Sequence, residues 1–229
     1  FFNPKALVAQ RGTTSIAAGT AGYGALDRYR INNGSTAVTN TIQATTVPTG
    51  QGFSNSIHLD VTTADTSLTS AVQFLLTQRF EGQDLQHLKK GTSSAETTVL
   101  SFWVRSAKSG THIVELFDTD NSRHINKAYT VSSADTWEHK EITIEGDTTG
   151  AFTNDANTSL EVTWHLGAGS NFTSGTLQTS WGGRTDANRA VGQVNVLDST
   201  DNNFYLTGIQ WELGSQATPF EHRSFGEEL

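Results

Sequence analysis

Apolar and polar positions alternate through much of this chain with the two-residue period of half-buried strands. The run with the most information is 203–215, NFYLTGIQWELGS. Phe204 and Leu206 share one parity. After Gly208 the phase flips, and Ile209, Trp211 and Leu213 become the apolar set, with Gln210 and Glu212 facing outward between them. A strand changes phase without turning its core face to water only by gaining a residue. The pattern therefore predicts a β-bulge near Thr207 and Gly208, in a long strand that closes a sandwich.

Other runs are as regular. In 56–62, Ile57, Leu59 and Val61 alternate with Ser56, His58 and Asp60; in 71–80, Val72, Phe74, Leu76 and Phe80 share a parity. In 158–166, Leu160, Val162, Trp164 and Leu166 face one way, and Ser159, Glu161, Thr163 and His165 the other. Residues 110–117 and 123–131 predict a hairpin across 118–122. Further strands are expected at 27–31, 36–43 (Val38 and Ile42 on one face), 137–145 and 193–197. The strand at 97–106 has Leu100, Phe102 and Val104 on one face and Val99 and Trp103 on the other. A strand apolar on both faces is central or covered by another element or subunit, which makes Val99 and Trp103 candidate subunit contacts.

One stretch predicts a helix, 81–90. Glu81 and Asp84 lie near its start, Leu85 and Leu88 are one turn apart, and Lys89, Lys90 and Gly91 end it. Residues 1–25 read as an extended arm anchored by Leu7, Val8 and Tyr23, and 26–229 as the domain proper. The tail 217–229, with Pro219, is expected along the sandwich edge. Roughly nine or ten strands with turn signals between them and one short helix predict an all-β, antiparallel two-sheet jelly-roll sandwich with an extended N-terminal arm.

Composition narrows the function. The chain has 229 residues, 15 basic against 23 acidic, for a formal charge of −8. A nucleic-acid binder needs a basic face to displace counterions, so that class is disfavoured. There is no cysteine, which removes disulfides and cysteine-based zinc sites. No apolar run approaches a membrane span, so membrane insertion is not expected. No HExxH, GxSxG or phosphate-loop motif occurs, and no pair of carboxylates is marked by spacing, so the chain reads as non-enzymatic.

Two stretches hold candidate chemistry. Asp118, Asp120 and Asn121 put three oxygen-bearing side chains on the turn at 118–122. Calcium takes six to eight oxygens, and this turn lacks the EF-hand glycine and glutamate. A plain polar hairpin loop fits better, with a structural calcium as the alternative. The loop 167–190 is long, polar and glycine-rich, and such loops are functional or disordered. Trp181 with Arg184 and Asp186, and Phe172 with Asn171, bring aromatic rings and planar polar groups into it, the ingredients of a carbohydrate site. The competing readings make Trp181 and Phe172 anchors of the loop, or parts of a trimer interface. His112 and His124 are placed to meet across the hairpin, while His58 and His165 fall on outward parity, where solvated surface is the default.

Three segments carry a family likeness. ALVAQRGTTS followed by GYGALDRY, then EGQDLQHLKKGTSSAETTVLSFWVRS, then FYLTGIQWELGSQATPFEHRSFGEEL together resemble the β-sandwich modules of bacteriophage fibre and other appendage proteins, especially marine ones. The likeness extends over nearly the whole chain. It implies a virion surface protein with a carbohydrate-binding-like jelly roll, commonly trimeric, contacting other virion proteins and host surface glycan. It transfers no functional residues. In the closing motif, Pro219 and Phe220 are expected to anchor the fold, and Glu221, His222 and Arg223 to point to alternate faces rather than form a catalytic cluster. Both ends of the chain read as cut edges of a longer polypeptide.

Overall fold

Two antiparallel sheets face each other across one core in the computed structural model, which describes residues 1–224 and Gly226. Phe225 and 227–229, most of the GEEL motif that ends the tail, lie outside the described residues. The front sheet has the order β1 (Thr14–Ile16), β4 (Val38–Ala44), β5 (Ser56–Thr63), β13 (Asn203–Leu213), β7 (Thr98–Ser106) and β10 (Glu138–Ile144). The back sheet runs β12 (Gly182–Gly183), β9 (Arg123–Val131), β8 (Gly110–Asp118), β11 (Thr158–Ala168), β6 (Gln73–Glu81), β3 (Tyr29–Asn33) and β2 (Thr20–Tyr23). This is the jelly-roll sandwich that the alternation predicts. Among the described residues no helix is long and apolar enough to cross a membrane.

The inner faces carry the predicted parities, except at the end of β13, where Leu213 is 50% exposed. Leu100, Phe102 and Val104 of β7 and Phe204 and Leu206 of β13 meet Leu160, Val162 and Trp164 of β11 and Phe74 and Leu76 of β6. Trp164 is fully buried, with Phe102 set edge-on to it at 5.6 Å and to Tyr129 at 5.2 Å. Each such side chain contributes about 2–3 kcal/mol by leaving water. The phase flip in β13 is a bulge. Pairing with β7 shifts register between Thr207 and Gln210, and Gly208 there has a φ of 59°.

Four expectations need correction. Residues Gly82–Leu88 form a 3₁₀ helix, not an α-helix. Its buried residues are Gly82, Leu85 and Leu88, spaced by three, the period at which 3₁₀ side chains eclipse. In β4 the inward residues are Thr39 and Thr41, whereas Val38 and Ile42 are half-buried on the outer face. The N-terminal segment is more than an arm, since it supplies β1 and β2. Its anchors are Phe1 and Phe2, which pack on Phe80, together with buried Ala6 and Val8, while Tyr23 is exposed. Gln78, buried on the inner face, accepts from the Phe2 amide at 2.9 Å and donates to its carbonyl at 2.8 Å. Lastly, 193–197 is not a strand. Single bonds pin it, Val194 N–H to Thr111 O at 3.0 Å and Val196 N–H to Leu166 O at 2.8 Å.

The tail does run along the sandwich. Phe220 meets Phe53 edge-on at 5.0 Å, the Glu221 amide donates to Gln210 Oε1 at 2.8 Å, and the His222 ring lies 5.2 Å from Phe53. A Cβ on Gly208 would fall 2.5 Å from Phe53 Cζ. Gly208→Ala therefore meets both a left-handed backbone and a filled site, and is expected to lower stability by about 1–3 kcal/mol. Urea unfolding reads this as a lower midpoint at constant slope; an unchanged midpoint would show that the bulge does not need glycine.

Candidate functional site

Part of the outer face of the back sheet is polar and buried, which alternation alone does not foretell. Glu115, on β8 between Val114 and Leu116, is 1% exposed. Around it on the same face stand His165 of β11 and His124 and Asn126 of β9, all at 0%. The cover is the long loop. It holds α1 (Ser170–Thr173), β12 and a 3₁₀ turn at Asp186–Asn188, after which Arg189 reaches down to the carboxylate. Arg189 Nε donates to Glu115 Oε1 at 2.9 Å, and Nη2 to Oε2 at 2.7 Å. His165 Nε2 lies 3.0 Å from Oε2 and His124 Nδ1 3.2 Å from Oε1. Burial pushes the Glu115 carboxyl up, but His124, His165 and Arg189 outweigh it and hold it well below the usual range. Burial lowers His165 despite its carboxylate partner. His165 is thus on the outward parity as expected, yet sealed from solvent.

Each of the five loop residues proposed for carbohydrate has a partner within the chain. Trp181 donates its indole N–H to Glu145 O at 2.8 Å and packs against the core. Arg184 lies 4.5 Å over the Phe117 ring and 3.3 Å from Asp186. Phe172 lies under the Arg189 guanidinium at 5.6 Å, and the Asn171 amide donates to Ser70 O at 2.9 Å. Trp181 and Phe172 are anchors of the cover. His112 and His124 stand on opposite faces of the hairpin, His112 packing on Tyr129 inside and His124 on Glu115 outside.

At the turn, Asp118 is fully buried and its carboxylate meets Lys90 Nζ at 2.5 Å. Lys90 also lies 3.2 Å from Asp147, which Arg123 clasps at 2.7 Å. Asn121 donates to Asp118 and to Ala151 O, while Asp120 accepts from the Thr153 amide at 2.9 Å. An ammonium thus stands where a cation on Asp118 would sit, and Asp118 and Asp120 accept from different partners. Among the described residues no group of three or more His, Asp or Glu side chains is placed to hold a metal.

The front sheet differs. Its outer face carries a half-buried row across neighbouring strands: Ile42 opposite His58, His58 opposite Tyr205, Tyr205 opposite Arg105. The His58 and Tyr205 rings are parallel at 4.2 Å, the Arg105 guanidinium lies 5.2 Å from the Tyr205 ring, and Trp137 leans on it at 6.0 Å. One rung along, Trp103 packs on His139 at 5.1 Å. Polar groups rim the row, with Asn203 Oδ1 2.5 Å from His58 Nε2 and Asp135 3.3 Å from Arg105. Burial raises the Tyr205 phenol, which stays a donor. Val99, on the same face, is 1% exposed within its own chain and offers nothing to a neighbour. Thr143 beside it bonds to Ser215 O, bringing the turn after β13 across that end. The sequence pattern marks Ile42, His58, Val99 and Trp103 separately; the row exists through pairings of residues 58, 105 and 205.

No family model and no curated protein matches the sequence. Solved structures do. A family 11 carbohydrate-binding module from Clostridium thermocellum, in complex with a β-1,3-1,4-mixed-linked tetrasaccharide, is 11% identical over 92% of this chain and 93% of its own, with a TM-score of 0.39. A family 30 carbohydrate-binding module is 13% identical over 95% and 94%, at 0.39. The enzymatically active domain of tailspike protein 4 of bacteriophage CBA120 is 10% identical over 82% of this chain, at 0.45, and this chain spans 19% of that one. Such scores carry no inference about ligand or reaction.

Two measurements probe these clusters. In the fold, Glu115 and His165 both favour the deprotonated form, so the unfolded chain takes up protons first. Stability should fall as pH drops through 6.5, the ordinary histidine value, and more steeply below 4.5, the ordinary glutamate value. Glu115→Gln should lower stability at pH 7 by about 3–5 kcal/mol, leaving Arg189 buried without its counter-charge, and make the acid limb shallower; an unchanged limb would show the cluster does not govern it. At the turn, calcium at a hundred times its Kd would add about 2.7 kcal/mol. With Lys90 in place, chelator-treated and calcium-loaded protein should melt together, and a saturable rise in Tm would show Lys90 displaced.

Proposed function

We propose that this chain is a non-catalytic module of a bacteriophage fibre or other appendage, displayed at the virion surface as a homotrimer, that binds host surface carbohydrate on the outer face of the front sheet. The observation that carries the reading is the row His58, Tyr205, Arg105 and Trp137 with Trp103 beside it. Rings with wet rims suit the half-apolar surface of a sugar, and amides, carboxylates and a guanidinium suit its hydroxyls. The phage setting rests on the sequence likeness of the three segments. Adsorption would be reversible, with three weak sites acting together through avidity.

A glycan array run with the intact oligomer tests this. Binding should be lost in Trp103→Ala and Tyr205→Ala, with oligomer size unchanged, and kept in a Trp181 variant that stays folded. A change in oligomer size in Trp103→Ala would make that residue a subunit contact instead. No ligand on any array would favour a purely architectural role, and new reducing ends released from host polysaccharide would make the chain a depolymerase.

A further inference from the structure

We propose a second ligand site at the β2 edge of the back sheet, around Tyr23, that takes a carboxylate-bearing sugar residue; its sugar component rests on the glycan reading above. Tyr23 is 47% exposed, the one exposed aromatic side chain among the described residues. It borders a pocket of about 340 Å³ shared with Gln10, Arg11, Asp27 and Arg28 and floored by Asn3 and Val8. That volume is in the range of small-molecule sites.

The floor is built by hydrogen bonds. Buried Asn3 donates to Val8 O at 2.8 Å and accepts from the Val8 amide at 2.9 Å, and the Asp27 amide donates to Val8 O at 3.2 Å. This holds the arm against the turn before β3. Arg28 sits in that turn with a φ of 73°, a left-handed conformation costly for a long side chain and of the kind that clusters at functional sites. Its guanidinium lies 4.7 Å over the Phe2 ring, which orients it while leaving its donors free.

Charge selects the ligand class. Arg11 is paired with Asp27 at 2.9 Å. Arg28 has no carboxylate partner among the described residues, and neither has Arg30, directly opposite Tyr23 in the β2–β3 ladder. Two guanidiniums, Arg11 and Arg28, thus line this pocket with one carboxylate, Asp27, in a chain whose net charge is −8. A planar guanidinium grips a carboxylate with two parallel bonds. The exposed Tyr23 ring offers a face to the C–H side of a pyranose.

The test is calorimetry on the full chain with an oligogalacturonate and with its methyl ester, which keeps the rings and removes the charge. The acid form should bind more tightly, and raised salt should weaken it. Arg28→Gly, which suits the backbone angle, and Tyr23→Ala should each weaken acid-form binding by about tenfold or more, with unchanged Tm. Equal binding of acid and ester, or no effect of Arg28→Gly, overturns the proposal. So does binding of sulfate or phosphate alone as tight as the uronide, which would make this a simple anion site. Neutral-glycan binding lost in Tyr205→Ala but kept in Arg28→Gly supports the front-sheet reading independently. If that result accompanies equal binding of acid and ester, the front-sheet reading stands and only this proposal falls.

Discussion

A carboxylate with no route to water must find its counter-charge inside the fold, and Glu115 finds it in Arg189. Burying two such ions costs several kcal/mol each, offset only when geometry is good and remaining lone pairs are satisfied. The Arg189 fork and two imidazole contacts meet that condition at the carboxylate, while Arg189 Nη1 and His165 Nδ1 are buried without a hydrogen-bond partner. The pair ties a loop with little regular structure of its own to the outer face of the back sheet. The front sheet receives the tail, the turn after β13 and the connection from β9 to β10 over part of its outer face. The remainder is open, and the aromatic row lies there. Charge therefore decides where the long loop lies on the back sheet.

Much of the fold is readable in the chain because alternation reports parity directly. Phe204, Leu206 and Ile209 reveal both the last strand and its bulge, and Trp164 announces itself as core. What alternation cannot report is what lies on the other face. His165 has outward parity and no solvent. The warning was a glutamate within the apolar run Ile113, Val114, Leu116 and Phe117, a place for a buried charge with a partner.

The candidate sites were less legible, for a different reason. His58, Arg105 and Tyr205 lie far apart in sequence and become neighbours only through strand register. The Tyr23 pocket depends on an arm whose position is set by Gln78 gripping the Phe2 backbone from the sheet interior. Neither arrangement leaves a spacing that one chain displays. The loop residues Trp181 and Phe172 did have the right ingredients, but an indole N–H given to Glu145 and a ring held under Arg189 serve closure.

The rims of both sheets are short or charged. β1 has three residues, β2 four and β12 two, and the longer β10 opens with Glu138, His139, Lys140 and Glu141. Unpaired backbone along a sheet margin is a template for another strand, and stubs and charges deny it length and dryness. Copies of this chain crowded side by side would thus have little means of zipping together through their backbones, and any assembly they form must be written in side chains.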